Sequence, residues 1–152
     1  MIYLRPATKR DVVTLFELRN DPDAYKNFLN PNPVSWDEHL GWFANVLRNE
    51  NNIVYMIYNK KKQEVGMLRF DINKGVAKIS INIGKKFRGK HYGTEALRVA
   101  SRIFLRKYKT VNKILAQIKK DNILSIVAFV QVGYKLVGQE KDLLKFVYSI
   151  NQ

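Results

Sequence analysis

The sequence predicts a single domain of the α/β class, in which helices flank a mixed central sheet. The 152 residues are the length of one domain, and a hydrophobic content of 46% can build a core. Along the chain, segments whose apolar residues alternate as in a strand are interleaved with segments whose apolar residues recur with the period of a helix. No internal repeat, low-complexity tract or linker divides residues 1–152, so one domain is expected to span them.

The first part of the chain predicts a strand and two helices. "IYLRP" is typical of a short strand, and Thr8 can cap a helix that runs through Asn20. "NDPDAY" ends this helix, because the residue before a proline leaves the α region. The expected buried side of this helix is Val12, Val13, Leu15 and Phe16. Ser35 and Glu38 have the spacing of a capping box that opens a second helix. The expected apolar stripe of the second helix is Trp36, Leu40, Phe43 and Leu47.

Three strands and a later β–α–β–α–β segment are expected after these helices. The strands begin at Ile53, Glu64 and Val76, and the third alternates strictly. Its expected core-facing residues are Ala77, Ile79, Ile81 and Ile83. A basic turn leads into a long helix, which is followed by the strand "KILAQIK", a helix over 122–132 and two final strands.

The composition excludes several classes of protein. The sequence has no cysteine, which excludes disulfides, thiolate metal sites and cysteine nucleophiles. No stretch approaches the roughly 18 apolar residues of a membrane span. The first residues lack the apolar segment of a signal peptide. We therefore expect a soluble, cytoplasmic protein without a metal ion.

The charge indicates an anionic partner. Lys and Arg number 27 against 13 Asp and Glu, which gives a net charge of +14. Such an excess attracts nucleic acid, acidic lipid or phosphorylated small molecules. Arg98, Arg102 and Arg106 recur every four residues along the long helix, as they do on an ordinary solvated face. A small phosphorylated molecule is therefore favoured over nucleic acid or a membrane.

The turn "KKFRGKHYGTEAL", residues 85–97, favours a phosphate site. A strand that leads through such a turn into a helix points unpaired amide groups, and the positive end of the helix dipole, at one spot. Gly89 and Gly93 let the backbone approach a ligand or adopt a positive φ. A pyrophosphate suits this arrangement. The spacing matches neither the P-loop nor the dinucleotide fingerprint, and an ordinary turn is the alternative.

In its context this turn resembles that of the GNAT family of acetyl-CoA-dependent N-acetyltransferases. "RGKHYG" follows an alternating strand, and "KKDNILSIVAFVQVGYKLVG" comes later in the chain, as in that family. The resemblance implies a sheet splayed around acetyl-CoA and transfer of its acetyl group to a primary amine. It also implies the residues that bind the cosubstrate, which are Ile81, Asn82, Ile83, Arg88, Gly89, Lys90, His91, Tyr92, Gly93, Thr94, Asn122 and Ser125.

Two positions depart from the family pattern. His91 replaces the middle glycine of the turn, and we expect an outward imidazole with only the backbone N–H in use. Phe129 stands where many members carry a tyrosine that protonates the departing thiolate. Tyr134 and Ser125 are the remaining candidates for this acid. A thiol of pKa about 8.5 can also leave without one.

The acceptor residues are expected in the N-terminal third of the chain. Arg19 falls within the apolar stripe of the first helix, and His39 and Trp42 flank that of the second. "ELRNDPD" and "SWDEHLGWF" resemble family members that acetylate the 4-amino group of nucleotide-linked sugars, as in the pseudaminic-acid pathway. The resemblance implies that Arg19 and His39 contact the nucleotide of a UDP-sugar, beside Asn20 and Trp42. The alternatives are Arg19 on the free carbonyls of its helix end and core packing of His39 and Trp42.

The strand "EVGMLRFDI" adds Arg69 and Asp71 on one face. They position the sugar amine, with Asp71 as the base, or they pair with each other. Three functions remain open: an aminosugar N-acetyltransferase, a protein N-terminal acetyltransferase of the ribosomal-protein type, and a non-catalytic module that senses CoA or binds nucleic acid. A homodimer is also open.

Overall fold

A computed structural model describes residues 1–150, whose strands form one seven-stranded sheet in the order β1-β2-β3-β4-β5-β7-β6. The strands are β1 Ile2–Pro6, β2 Asn52–Asn59, β3 Glu64–Asn73, β4 Val76–Ile83, β5 Lys113–Lys119, β6 Lys135–Glu140 and β7 Leu143–Tyr148. The helices are α1 Val12–Arg19, α2 Pro22–Tyr25, α3 Trp36–Arg48, α4 Tyr92–Lys107 and α5 Ile123–Val132. The predicted α/β class, with a mixed sheet between helices, is confirmed.

The sheet opens between β4 and β5. Strands β1 to β4 pair antiparallel, whereas β4 and β5 run parallel. Their register covers Val76↔Lys113, Ala77↔Ile114 and Lys78↔Leu115 and ends there, although both strands continue. A wedge therefore lies between the second half of β4 and the end of β5.

Helices cover both faces of the sheet unequally. The main core lies under α4 and α5, where the rings of Phe70 and Phe104 stack with centroids 3.9 Å apart. A smaller core lies under α1 and α3 on the opposite face and consists of Leu15, Phe43, Val46, Val54 and Met56. The smaller core covers β2 and β3 and leaves the same face of β5 and β7 open. No helix of the described residues is long and apolar enough to cross a membrane.

The buried side of α3 differs from the predicted stripe. Trp36, Leu40 and Leu47 are about two-fifths exposed, and the buried residues are His39, Phe43 and Val46. Ser35 caps the helix as predicted, with its hydroxyl accepting from the Glu38 N–H at 3.2 Å. Packing against α1 buries the side of α3 that contains His39, whose ring lies 5.2 Å from that of Phe16.

The chain around α1 and α2 also differs from the prediction. A 3-10 turn over Lys9–Asp11 precedes α1, because the Asp11 carboxylate accepts from the Thr8 N–H at 2.7 Å. Val13 is half exposed. Helix α1 ends at Arg19 with Asn20 as its C-cap, which agrees with the predicted end. Pro22 then begins the short helix α2, which was not predicted, after the N-cap residue Asp21.

Candidate active site

The wedge between β4 and β5 presents backbone groups of β4. The Gly84 N–H donates to the Val65 carbonyl at 2.8 Å. Partners alternate along an antiparallel strand, so Ile79, Ile81 and Ile83 direct their N–H and C=O groups away from β3 and towards β5. The pairing of β4 with β5 ends at Lys78, so the N–H and C=O of Ile81 face the wedge. The Ile83 carbonyl accepts from Arg88 Nε at 2.9 Å.

The turn after β4 has the backbone that an anion site needs. Gly89 has φ +74°, with open space where a Cβ would lie. His91 has φ +66° without being a glycine, and its side chain is exposed. It caps α4 beside a 440 Å³ depression lined by His91, Thr94, Glu95, Arg98 and Gln131.

The N-terminus of α4 completes this anion site. The first intrahelical bond is from the Glu95 N–H to the His91 carbonyl, at 3.1 Å. The N–H groups of Tyr92, Gly93 and Thr94 precede it and have no intrahelical partner. A Cβ on Gly93 would meet the Ile83 side chain at 3.5 Å, so the helix packs close to the wedge. This cradle of amides and helix dipole fits the pyrophosphate of CoA.

Several predicted cosubstrate side chains are held by protein partners instead. Arg88 donates to the Ile83 carbonyl and to the Asp21 carboxylate, which ties the turn to α2. Asn122 caps α5, with its side-chain oxygen accepting from the Ser125 N–H at 3.4 Å. Asn82 donates to the Leu18 carbonyl at 2.7 Å from the face under α1. Its backbone pairs with β3, so these contacts stand against the prediction that Asn82 contacts the cosubstrate.

Arg19 and Asn20 hold the segment between α1 and α3, residues 21–34. Arg19 donates to the carbonyls of Asn30 and Asn32 at 3.2 and 3.0 Å, and lies 5.0 Å over the Phe28 ring. Asn20 accepts from the Val34 N–H and donates to the Val34 carbonyl, both at 2.9 Å. Arg19 thus bonds to carbonyls, as in the structural alternative, but to those of a distant segment.

His39 lies inside the smaller core. Its side chain is 2% exposed, and its Nε2 lies 2.8 Å from the Val12 carbonyl, which fixes the proton on that nitrogen. The aromatic rings around it belong to Phe16, Trp36, Trp42 and Phe43. Burial lowers the pKa of His39, the bond to Val12 opposes this, and Arg19 lowers the pKa further. These contacts stand against the predicted nucleotide contact of His39.

Arg69 and Asp71 pair with each other. Arg69 Nε donates to the Asp71 carboxylate at 2.9 Å, and the same oxygen accepts from Asn52 at 2.6 Å. The Arg69 guanidinium lies 5.3 Å over the Trp42 ring. Trp42 therefore packs from α3 onto the edge of the open sheet face. Asp71 is held by two donors, which is the pairing alternative considered from the sequence.

Tyr134 is part of the main core. It is 2% exposed, its hydroxyl lies 2.8 Å from the Ser101 hydroxyl, and its ring packs against Phe129 and Tyr148. Burial raises its pKa above the ordinary value, and the Ser101 bond only partly opposes this. These contacts stand against the predicted role of Tyr134 as an acid, which stays a prediction.

Sequence reasoning missed Gln117 of β5. Its Oε1 is the one buried side-chain polar atom without a hydrogen-bond partner within residues 1–150. The signal was present in "KILAQIK", where a polar residue stands between the buried Ala116 and Ile118. No group of three metal-ligating side chains occurs in the part of the chain that the structure describes.

Comparison with known proteins identifies the family. A family model described as acetyltransferase (GNAT) domain matches residues 2–135. A domain from Methanocaldococcus jannaschii superposes with a TM-score of 0.86 at 25% identity, covering 99% of each chain. No curated protein matches the sequence.

Two more distant structures share the fold. Spermidine N-acetyltransferase from Vibrio cholerae, in complex with CoA and spermine, has a TM-score of 0.86 at 16% identity, covering 97% of this chain and 95% of its own. Aminoglycoside acetyltransferase AAC(6')-Ib, in complex with coenzyme A, has a TM-score of 0.82 at 18% identity, covering 99% and 95%. With the wedge and the anion-binding turn in place, the chain belongs to the GNAT family and is an acetyl-CoA-dependent N-acetyltransferase.

Proposed function

We propose that this enzyme acetylates an amine carried by an anionic molecule, best matched by the 4-amino group of a UDP-linked 4-amino-4,6-dideoxy sugar. The observation that carries the proposal is the charge of the open sheet face. Strands β4, β5 and β7 contain no Asp or Glu, and Asp71 of β3 is paired with Arg69. The cations on this face are Arg69, Lys78, Lys119 and Lys145. Arg69 is paired with Asp71, and Lys145 lies 3.3 Å from Glu140 of β6, so the cationic excess of the face comes from Lys78 and Lys119.

This charge disfavours polycationic acceptors. Polyamines and aminoglycosides bind where carboxylates compensate their charge, and a face with a cationic excess repels them. A nucleotide diphosphate gains from the same face, since ammonium and guanidinium groups donate charge-assisted hydrogen bonds to phosphate oxygens. The proposal therefore depends on the positive charge of this one face, which has the same sign as the net charge of +14.

Direct attack in a ternary complex accounts for the reaction. The neutral amine attacks the thioester carbonyl, a C–N bond forms, the C–S bond to CoA breaks, and the amine loses a proton to water. The Ile81 N–H faces the wedge and is the donor proposed for the developing oxyanion. Holding both substrates in one cleft supplies much of the remaining rate. The thiolate leaves without a tyrosine acid, because Phe129 and the buried Tyr134 supply none.

Arg19 acts on the acceptor through the segment 21–34 that it holds. Lys119 Nζ donates to the Lys26 carbonyl at 3.0 Å, so this segment reaches the end of β5 beside the open face. We expect Arg19→Ala to raise the acceptor KM about tenfold, since hydrogen bonds from a charged group are lost, and to leave the acetyl-CoA KM unchanged. The exposed Arg10→Ala is the control. Equal KM values for acceptor in both variants would remove Arg19 from the site.

The first experiment measures the release of free CoA thiol from acetyl-CoA with four acceptors in parallel. These are the UDP-linked 4-amino sugar, spermidine, kanamycin and an N-terminal peptide of a ribosomal protein. Turnover with the sugar alone is expected. Turnover with the peptide instead would favour the ribosomal-protein type of enzyme, and turnover with spermidine or kanamycin would overturn the charge argument. Acetyl-CoA binding without any turnover would favour the non-catalytic module.

A homodimer is proposed as the form in solution. Helix α5 has no charged residue and exposes the apolar side chains of Ile123, Leu124, Val127 and Val130. An apolar helix face of this kind is typical of an interface. Sedimentation of the wild type against Leu124→Lys tests this, and identical monomeric masses would contradict it.

A further inference from the structure

We propose that the side-chain amide of Gln117 receives the acceptor amine, with its Oε1 accepting an N–H of the attacking nitrogen. The inference rests on the acetyl transfer given above and holds whichever amine is the acceptor. The first observation is the state of Oε1 itself. It is buried, and no donor reaches it within residues 1–150. An unsatisfied buried carbonyl is costly, so a ligand that donates to it gains affinity.

The direction of the Gln117 side chain follows from the alternation of β5. Ala116 and Ile118 lie in the core under α4 and α5, so Gln117 points to the opposite, open face. It lies opposite Lys145 of β7 on that face. Lys119, the next residue on the same side, reaches the segment 21–34. Gln117 thus lies between Lys145 and Lys119 on the face that the segment 21–34 reaches.

The position of Gln117 along β5 places it at the wedge. The last pair between β4 and β5 is Lys78↔Leu115, and Gln117 comes next on the same face. If the register continued, Gln117 would lie opposite Ser80, the residue before Ile81. The Ile81 N–H faces the wedge from β4, and Gln117 flanks it from β5. Acetyl carbonyl and amine therefore meet between the two strands.

The chemistry suits a neutral acceptor of hydrogen bonds. An amine that donates one N–H to Gln117 Oε1 keeps its lone pair free to attack the thioester carbon. An amide oxygen takes up no proton at neutral pH, so Gln117 orients the amine and leaves the proton to water. The wild-type pH profile of kcat/KM should therefore keep its shape in Gln117→Leu, and only its height should fall.

The absence of cysteine offers a test that needs no acceptor. In Gln117→Cys the introduced thiol is the only one in the protein. With acetyl-CoA alone, its thiolate attacks the thioester carbonyl, a new C–S bond forms, the bond to CoA breaks, and the CoA thiolate takes up the proton released. Mass spectrometry should find one added acetyl group at position 117, at least about tenfold faster than in Gln139→Cys, whose thiol lies on the exposed edge strand β6.

The matched test of the amine contact is Gln117→Leu against Gln139→Leu. With any amine that turns over, Gln117→Leu should lose about tenfold or more in kcat/KM for the acceptor and keep the acetyl-CoA KM. Its Tm should not fall, because an unsatisfied atom is removed. A fall in Tm would show that the amide has a structural partner, and unchanged acceptor kinetics would show that no amine binds there. Either result overturns the proposal.

The outcomes separate this inference from the choice of substrate. Acetylation of the introduced thiol, combined with silence towards the UDP-sugar, would keep Gln117 at the reacting centre and reject the sugar. Acetylation no faster than in Gln139→Cys, combined with turnover of the sugar, would reject Gln117 and keep the sugar. Both Cys variants should melt like the wild type, and Gln117→Ser provides a second small replacement for the kinetic comparison.

Discussion

The hydroxyl of Tyr134 and the imidazole of His39 each find one protein partner inside a core, Ser101 and the Val12 carbonyl. Buried polar atoms are normally satisfied in this way. Gln117 Oε1 is the exception in residues 1–150. At the scale of single residues, satisfied atoms belong to the scaffold, and the unsatisfied one marks a place for a ligand.

Tyr134→Phe tests the structural assignment of this residue. We expect a loss of about 1 kcal/mol in the free energy of unfolding, because the Ser101 hydroxyl loses its partner, and an unchanged kcat. Denaturant unfolding and steady-state kinetics measure the two. The double variant with Ser101→Ala should be no less stable than the single one. A fall in kcat of tenfold or more would restore Tyr134 as the acid.

His91 tests the backbone of the anion-binding turn. His91→Gly should keep activity, whereas His91→Val should raise the acetyl-CoA KM and cost about 1–2 kcal/mol of stability, because a β-branched residue resists φ +66°. Lys62→Val is the control, since Lys62 has φ +63° in the hairpin between β2 and β3, away from the site. Equal acetyl-CoA KM values in the two Val variants would show that the backbone at position 91 does not contact the cosubstrate.

At the scale of elements, α1 is held by polar contacts to its neighbours. Arg5 of β1 donates to the Asp11 carboxylate at 3.0 and 2.7 Å just before α1 begins. His39 of α3 donates a hydrogen bond to the carbonyl of Val12, in the first turn of α1. Asn82 of β4 bonds to the Leu18 carbonyl near its end. These contacts fix the position of α1, and with it the start of the segment 21–34 beside the proposed acceptor site.

The contact between α3 and α1 predicts a pH dependence. The folded pKa of His39 lies below the ordinary value of 6.5, chiefly because of burial. The unfolded chain then binds more protons, so the stability is full above pH 6.5 and falls as the pH falls towards the folded value. Unfolding experiments at pH 7.5 and 5.5 should show this loss, and His39→Gln should show less of it. An equal loss in both proteins would contradict the assignment.

At the scale of the whole molecule, the charge of +14 acts on encounter with anions. Cations surround the anion-binding turn as well as the open sheet face, with Lys85, Lys86 and Lys90 within the turn. A field of this sign draws in anionic substrates and raises their association rates. The same positive field is the reason why we propose an anionic acceptor.

The charge predicts a salt dependence of the reaction. The kcat/KM for acetyl-CoA should fall several-fold between about 0.05 and 0.5 M NaCl, because salt screens attraction beyond a few ångströms. Acetyl-pantetheine has no phosphates, and its kcat/KM should stay nearly constant. Parallel slopes for the two substrates would show that the charge does not guide the cosubstrate.

The sequence by itself determined the order of the seven strands and the four longer helices, and the anion-binding turn. Both depend on residues close in the chain: the alternation of β4, the cap at Ser35, and the glycines beside Arg88. Neighbours in sequence set the local periods and the turn conformations, so these features can be derived without a fold. The left-handed backbone of His91 was a local feature that its residue type concealed, and the same holds for Lys62, Lys74 and Lys141.

Only the tertiary structure decided which polar side chains remain free for a substrate. Arg88 donates to Asp21, 67 positions away in the sequence, and Asn82 donates to the Leu18 carbonyl, 64 positions away. Neither side chain is therefore free to bind a substrate. Arg19, Asn20 and His39 are likewise held by partners that no local pattern reveals. Hydrogen bonds between distant residues depend on how the elements pack. For that reason the sequence located the anion-binding turn, and the packing of β5 left Gln117 Oε1 without a partner near the wedge.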